Sequence, residues 1–183
     1  MRIAVSGTHG VGKSTLIDEF VSKHQEFTHE PEPYAVMVED FGEEFSDEPN
    51  VEDFRRQLEF NIERLRQHAP GEKVIYERCP IDFLAYIDAL EPGSVEALLG
   101  PVTQAMQNLD LIVYLPLEAD QTLESEYPKL QKAVDRRLHT ILLDDELGIV
   151  ITPVVEATGS TSQRLSVVVN EYQTRSRVTS RRE

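Results

Sequence analysis

The chain is poor in cysteine, in basic residues and in long apolar runs, and each shortage excludes something. Cys79 is the single cysteine among 183 residues, so no intrachain disulfide can form. A reduced, cytoplasmic setting is the expectation for so sparing a use of thiols. One thiol cannot build a zinc site, and the five histidines show no metal-ligand spacing. No apolar run approaches the ~20 residues that a membrane-spanning helix needs. The opening MRIAVSG has no apolar signal-peptide core and reads as a strand. Lys and Arg number 18 against 33 Asp and Glu, a net charge of −15. A surface of that sign repels phosphate backbones and argues against polymeric nucleic acid as a partner. It leaves room for a single nucleotide, because one concave cationic site can sit inside an acidic shell.

What is present is an ordinary globular composition, 40% hydrophobic and 28% charged, long enough for one domain over residues 1–183 with a real core. Strand and helix signals alternate and nothing repeats. Ile3, Ala4 and Val5 form a short apolar run ending in glycine. Leu16, Ile17, Phe20 and Val21 then follow a helical period. Phe27 to His29 is strand-like and leads into the punctuation Glu30-Pro31-Glu32-Pro33. Residues 39–50 are acidic, with glycine and proline, and read as a solvated flap or loop. Val51, Phe54, Leu58, Ile62 and Leu65 make a helical stripe that Ala69-Pro70-Gly71 stops. Lys73 to Tyr76 is a strand core, Ile81 to Leu90 a helix, and Val95 to Asn108 one or two helices interrupted at Gly100-Pro101. Leu109 to Leu117 is apolar almost throughout, as a strand buried on both faces should be. Val134, Leu138, Ile141 and Leu142 share a helical face. Ile149 to Val155 is the last strand, with Pro153 marking its end or a sheet edge, and Leu165, Val168, Val169 and Tyr172 mark the last helix. The basic tail, 175–183, reads as a frayed terminus. Strict alternation of this kind implies a parallel sheet with helices on both faces.

Gly7-Thr8-His9-Gly10-Val11-Gly12-Lys13-Ser14 fits G-x-x-x-x-G-K-[ST] in full, with a strand before it and an amphipathic helix after it. The glycines let the backbone curl so that successive N–H groups face a phosphate, and the helix N-terminus adds its positive end. Lys13, expected to be solvated before ligand arrives, puts a point charge on the β- and γ-phosphates. The Ser14 hydroxyl is placed to ligate Mg²⁺, and Thr15 continues the motif into the helix. A GTPase would carry an N-K-x-D stretch and a large motor a hydrophobic strand ending in Asp-Glu; the chain has neither. This points toward a small phosphotransferase.

Glu30-Pro31 after the second strand and Tyr76-Glu77-Arg78-Cys79-Pro80-Ile81-Asp82 after the third sharpen this. Together with the phosphate loop and the Thr158-Gly159-Ser160 turn, they resemble the small-molecule P-loop kinases along essentially the whole chain. The nearest likeness is to the deoxynucleoside-kinase and ribosylnicotinamide-kinase-like group. The resemblance implies a three-layer α/β/α fold with a five-stranded parallel sheet in the order 2-3-1-4-5.

It also implies roles. Glu30 would touch the acceptor hydroxyl and take or orient its proton, with Glu32 as the nearby competitor and an exposed strand-end acid as the plain alternative. Glu77 would hold Mg²⁺ directly or through water, and Arg78 would reach the transferring phosphoryl or brace Glu30, with a surface ion pair as the plain alternative. Cys79 stands where those kinases have serine, which puts any contact from that side chain in doubt. Asp82 would read a polar group of the substrate, or simply cap the following helix. A lid over 118–137 would bring cations onto the phosphates. Its first half lacks arginine, so either Lys129, Lys132 and Arg136 supply them or the lid closes weakly, with a solvated helix face as the plain alternative. Ser160 lies in the turn that packs against adenine and doubles as a helix cap. The implied activity is ATP·Mg²⁺-dependent transfer to a hydroxyl of a small molecule, a nucleoside or related riboside. A nucleoside-monophosphate kinase and a regulatory nucleotide-binding ATPase are the alternatives. No membrane contact is expected, and a homodimer is compatible with this reading.

Overall fold

A computed structural model describes residues 1–118 and 125–179. Five parallel strands run in the order β2-β3-β1-β4-β5, as expected. They are β1 (Arg2–Ser6), β2 (Thr28–Glu30), β3 (Val74–Glu77), β4 (Leu111–Tyr114) and β5 (Val154–Glu156). The central strand β1 is fully buried and pairs with β3 through Arg2–Val74 to Val5–Glu77, and with β4 through Ile3–Leu111 to Ser6–Tyr114. The edge strands β2 and β5 are three residues long and half exposed.

Among the described residues seven α-helices cover the sheet: α1 (Lys13–Lys23), α2 (Pro33–Glu39), α3 (Val51–Gln67), α4 (Pro80–Leu90), α5 (Leu99–Met106), α6 (Pro128–Leu142) and α7 (Thr161–Thr179). Side chains alternate across the pleat, so each strand feeds two cores. Ile3, Val5, Ile75, Leu111 and Val113 pack with α1 and α7 through Leu16, Phe20, Leu165 and Val168. Ala4, Val74, Tyr76, Ile112 and Tyr114 face the other way, onto α3, α4, α5 and α6. The stripes read from the sequence are the buried ones: Leu58, Ile62 and Leu65 on α3, and Val134, Leu138, Ile141 and Leu142 on α6. Each such side chain contributes about 1.5–3 kcal/mol on burial.

Several boundaries differ from the sequence reading, each for a local reason. Pro33 opens α2 rather than ending structure, because its missing N–H is no loss in the first turn. Gly100-Pro101 lies in the first turn of α5 instead of interrupting it. The last strand begins only after Pro153, which has no N–H for the ladder. Residues 175–179 continue α7, and the rest of the basic tail, 180–183, lies outside the described residues. Part of the proposed lid, residues 119–124, lies outside the described residues; the remainder from Pro128 is regular helix. Among the described residues no helix is long and apolar enough to cross a membrane.

Candidate active site

The phosphate loop joins β1 to α1 at the C-terminal edge of the sheet, where doubly wound α/β folds place their ligands. Gly7 is required there on two counts: its φ is +151°, and a Cβ would lie 2.6 Å from the carbonyl oxygen of Leu115. Gly10 and Gly12 also turn through positive φ, 80° and 89°. Ser14 and Thr15 are exposed at the start of α1, whereas Thr8 is buried.

Lys13 is 4% exposed rather than solvated. Its Nζ donates to the Thr8 carbonyl at 3.0 Å and lies 3.9 Å from Glu77 Oε1. Burial, with the neighbouring Arg78 charge, lowers its pKa to about 8. Ser14 Oγ donates to the same Glu77 oxygen at 3.0 Å. Among the described residues no cluster of three or more His, Cys, Asp or Glu could hold a metal. The pair of Ser14 hydroxyl and Glu77 carboxylate nonetheless suits Mg²⁺, which needs one or two protein oxygens when water and phosphate oxygens complete its octahedron.

The turn after β3 clamps the loop. Arg78 has φ +76°, uncommon for a residue with a side chain and worth about 1–3 kcal/mol of strain. That twist returns its guanidinium to the loop, where Nη1 donates to the Gly7 carbonyl at 3.1 Å. Asp82 takes the other side of the same residue: Oδ1 accepts from Gly7 N–H and Oδ2 from Cys79 N–H, each at 2.9 Å. Asp82 is wholly buried. Both its oxygens are spent on backbone, which corrects the expectation that it reads substrate; helix capping, the plain alternative, is what the structure places there. Cys79 is buried as the residue capping α4, and burial pushes its thiol pKa well up.

The two glutamates of Glu30-Pro31-Glu32 have parted. Glu30 pairs with Arg64, which donates from Nε at 2.8 Å and from Nη2, and with His68 Nε2 at 3.0 Å. Arg64 also donates to the Pro31 carbonyl at 2.6 Å. Glu30 thus ties the sheet edge to α3 and does not line the cavity beside the phosphate loop. Glu32 does: it sits at the start of α2, its carboxylate accepts from Arg78 Nε, and it lines that cavity. Its backbone is extended, with φ −53° and ψ 131° between two prolines, and this turns it back toward the loop. Burial pushes its carboxyl up, but the charges of Arg78 and Lys13 outweigh that and hold it at about 2. The Arg78 pKa is raised by Glu32, Tyr86 and Asp82 against the effect of burial.

The cavity has a volume of about 500 Å³. Its inner end is His9, Glu32 and Arg78. Aromatic walls come from Phe54 stacked on Tyr86 (4.4 Å between centroids) and from Tyr34 beside Phe45 (5.0 Å). Residues 45–50 of the acidic flap and 125–127 close it, joined where the Tyr127 hydroxyl donates to the Asp47 carbonyl at 3.1 Å.

Two expected contacts are elsewhere. Arg136 is exposed and lines a separate cleft with Asp88, Gly93 and Glu96, because its position on α6 faces away from the loop; this corrects the phosphate clamp assigned to it. Lys129 and Lys132 are exposed on the same helix and line neither cavity. Ser160 exchanges hydrogen bonds with Gln163 as the cap of α7. Sequence reasoning missed Arg164, which is 4% exposed and donates to the Val11 carbonyl of the loop at 2.6 Å and to Glu118 at 2.8 Å. Glu118 also accepts from Gly159 N–H at 2.7 Å, so the turn after β5, the end of the segment after β4 and the phosphate loop are bound together. A signal existed, since a cation in the first turn of a helix opposes the helix dipole and needs another reason to be there.

A family model described as an AAA domain matches residues 2–164, and the chain belongs to that family of P-loop proteins. No curated protein matches the sequence. Solved structures with the same fold include deoxyadenosine kinase from M. mycoides, at 15% identity and TM-score 0.62, covering 95% of this chain and 100% of that one. NadR in complex with NR aligns at 16% identity and TM-score 0.65 over 92% of this chain and 49% of that one. Thymidylate kinase from Candida albicans aligns at 16% and 0.62 over 96% and 92%. The fold is therefore that of the nucleoside and nucleotide kinases.

Proposed function

We propose that the protein transfers the γ-phosphoryl group of ATP, bound with Mg²⁺, to a hydroxyl of a small molecule, a nucleoside or related riboside. The observation that carries this is the placement of Glu32 and Arg78 at the inner end of an aromatic-walled cavity that opens beside the phosphate loop. In this reading the loop amides and Lys13 bind the phosphates, while Ser14 and Glu77 hold the metal, which would neutralise charge between the β- and γ-oxygens. Arg78 stands between the loop and the acceptor. Glu32 orients the attacking hydroxyl: at a pKa of about 2 it is a weak base, and a loose phosphoryl-transfer transition state asks little of one. Glu30 supports the sheet edge. The single buried thiol, Cys79, is in keeping with a reducing, cytoplasmic setting.

A phosphate-bearing acceptor fits less well, even though a thymidylate kinase shares the fold. Arg78 is the one Lys or Arg lining the cavity among the described residues, and Glu32 already pairs with it. Arg56 is held by Glu43 and Asp53, and Arg55 donates to the Ser94 carbonyl. The test is ADP release from ATP·Mg²⁺ over a panel of nucleosides, ribosides and nucleoside monophosphates. Stimulation by hydroxyl acceptors is expected. Stimulation by monophosphates alone would move the reading to a nucleotide kinase, and stimulation by none to a regulatory ATPase.

A further inference from the structure

We infer that the His9 imidazole takes the proton of the hydroxyl that attacks the γ-phosphorus. The inference rests on the proposed reading of the protein as a hydroxyl kinase. The phosphate-loop motif asks only for backbone at this position, because the loop cradles phosphate with its N–H groups. The neighbouring loop side chains, Thr8 and Val11, are buried in the protein. His9 is exposed, and Gly10 turns the chain directly after it with φ +80°. His9 is therefore the loop side chain that lines the cavity, at its inner end with Glu32 and Arg78. The backbone that carries it is held on both sides. Its N–H donates to the Tyr86 hydroxyl at 3.2 Å, and its carbonyl accepts from Gln131 Nε2 at 2.7 Å. Tyr86 is in turn stacked on Phe54, and Gln131 is buried. Among the described residues the imidazole itself has no hydrogen-bond or ion-pair partner. A fixed backbone thus presents an uncommitted ring to the place where the loop meets the cavity.

The other bases of the cavity are less suited to the task. Burial raises the Glu32 carboxyl, but Arg78, Lys13 and His9 lower it, to about 2, and it accepts from Arg78 Nε. A carboxylate held that low orients a hydroxyl well and takes its proton poorly. Asp53 accepts from Asn50 and pairs with Arg56. Asp47, Glu48 and Glu126 belong to the stretches that close the cavity, away from the loop. Imidazole exchanges protons near neutral pH, where a general base is most effective. The charges around it have both signs. Arg78 and, behind the loop, Lys13 are cationic; Glu32, Asp47, Glu48 and Glu126 are acidic. Tyr34, Tyr86 and Tyr127 complete the titratable groups of the lining. A proton gained by the ring is thus met by carboxylates. In the step itself the hydroxyl oxygen bonds to the γ-phosphorus as the bond from that phosphorus to the bridging oxygen breaks, its electron pair leaving on ADP. The hydroxyl proton passes to a ring nitrogen of His9 and from there to water.

Two variants of the full chain, His9→Gln and His9→Ala, test this. The acceptor is adenosine, deoxyadenosine or nicotinamide riboside, whichever supports ADP release from ATP·Mg²⁺ by the parent. At saturating substrates both variants should lower kcat by about ten- to a hundredfold, the low end of general-base effects for a loose transition state. ATP binding, measured by calorimetry, should be unchanged. The parent kcat should rise with pH through the imidazole range, and His9→Gln should lack that limb. Added imidazole should restore His9→Ala, and methylimidazoles should do so in the order of their basicity. Pyrazole, which has the same size but is hardly basic, should not. Rescue by pyrazole equal to that by imidazole would show that the ring only fills space, and overturns the inference. So does a His9→Gln variant that keeps the parent kcat or its pH limb, or loss of ATP binding in both variants, which would assign the ring to the nucleotide. A parent that transfers to no hydroxyl acceptor sinks the kinase reading and the base with it. A parent that transfers, with variants that match it, sinks the base alone.

Discussion

The phosphate loop and the cavity beside it share a wall but are built in opposite ways. The loop is one contiguous run of eight residues. Its glycines are set by backbone sterics, and its carbonyls are clamped by Arg78, Gln131 and Arg164 from three different elements. The cavity is assembled from six stretches of chain, and its outer wall is loop: residues 45–50 and 125–127. The loop binds a ligand common to all P-loop proteins, so its geometry can be rigid and its sequence fixed. On the proposed reading the cavity must match one particular acceptor, and loops can be rebuilt for that without disturbing the core. The charge pattern follows the same division. The cations are held at the loop, and the cavity mouth is left acidic.

The largest expected effect tests the loop side. Lys13→Ala should lower kcat/KM by about a thousandfold by removing the fixed cation beside the developing charge. A normal circular dichroism spectrum and melting curve would show that the fold is intact. If the variant keeps a tenth of the parent activity, the phosphate-loop assignment is wrong.

Next comes the cavity side, where two glutamates only two residues apart should fail differently. Glu32→Gln should cut kcat by about a hundredfold, the low end for an acid–base or orienting group, with ATP binding preserved. Glu30→Gln should leave kcat within about threefold and instead cost about 1–3 kcal/mol of stability, because Arg64, itself buried, loses its carboxylate partner. Urea denaturation beside steady-state kinetics separates the two. The opposite outcome would return the acceptor contact to Glu30.

The pH dependence distinguishes the regions again. Lys13 is lowered to about 8, below its unfolded value, whereas bound phosphate favours its charged form. Nucleotide affinity should therefore hold below pH 8 and fall by about tenfold per unit above it, as the free protein must take up a proton to bind. Glu32 is lowered to about 2 from 4.5. It contributes stability that is present above pH 4.5 and lost as pH falls toward 2, so Glu32→Gln should flatten the acid limb of a melting-temperature profile. An affinity flat from pH 7 to 10 would contradict the environment described for Lys13.

The smallest expected effect compares two arginines. Arg164→Met should raise KM for ATP by about tenfold, through loss of a charged hydrogen bond to the loop. Arg136→Ala should change it by less than about twofold, as its side chain is exposed away from the loop. A reversal would mean that α6 swings its outer face onto the phosphates.

How much of this was legible beforehand depends on sequence distance. The alternation of strand and helix, the buried faces of α3 and α6 and the whole phosphate loop could be read because each is a pattern within one stretch of chain. The roles of Glu30 and Asp82 could not. The resemblance supplied a position in the chain, but a carboxylate's role is set by what surrounds it. Arg64 and His68 lie more than thirty residues from Glu30, and Gly7 lies 75 from Asp82. Arg164 escaped notice for the same reason, 153 residues from the carbonyl it holds.

The sequence by itself determined the class of fold, the phosphate-binding loop and the acidity of the surface, since steric freedom at glycine, side-chain periodicity and net charge are properties of the chain whatever its partners. Only the tertiary structure decided that Glu32 and not Glu30 lines the cavity beside the phosphate loop, that Asp82 serves the backbone, that Arg78 is neutralised where it stands and that Arg136 looks away. Those outcomes depend on which charges come within a few ångströms of one another. In a medium of low dielectric the energy of such pairs changes steeply with distance, and residue spacing along the chain does not encode that distance.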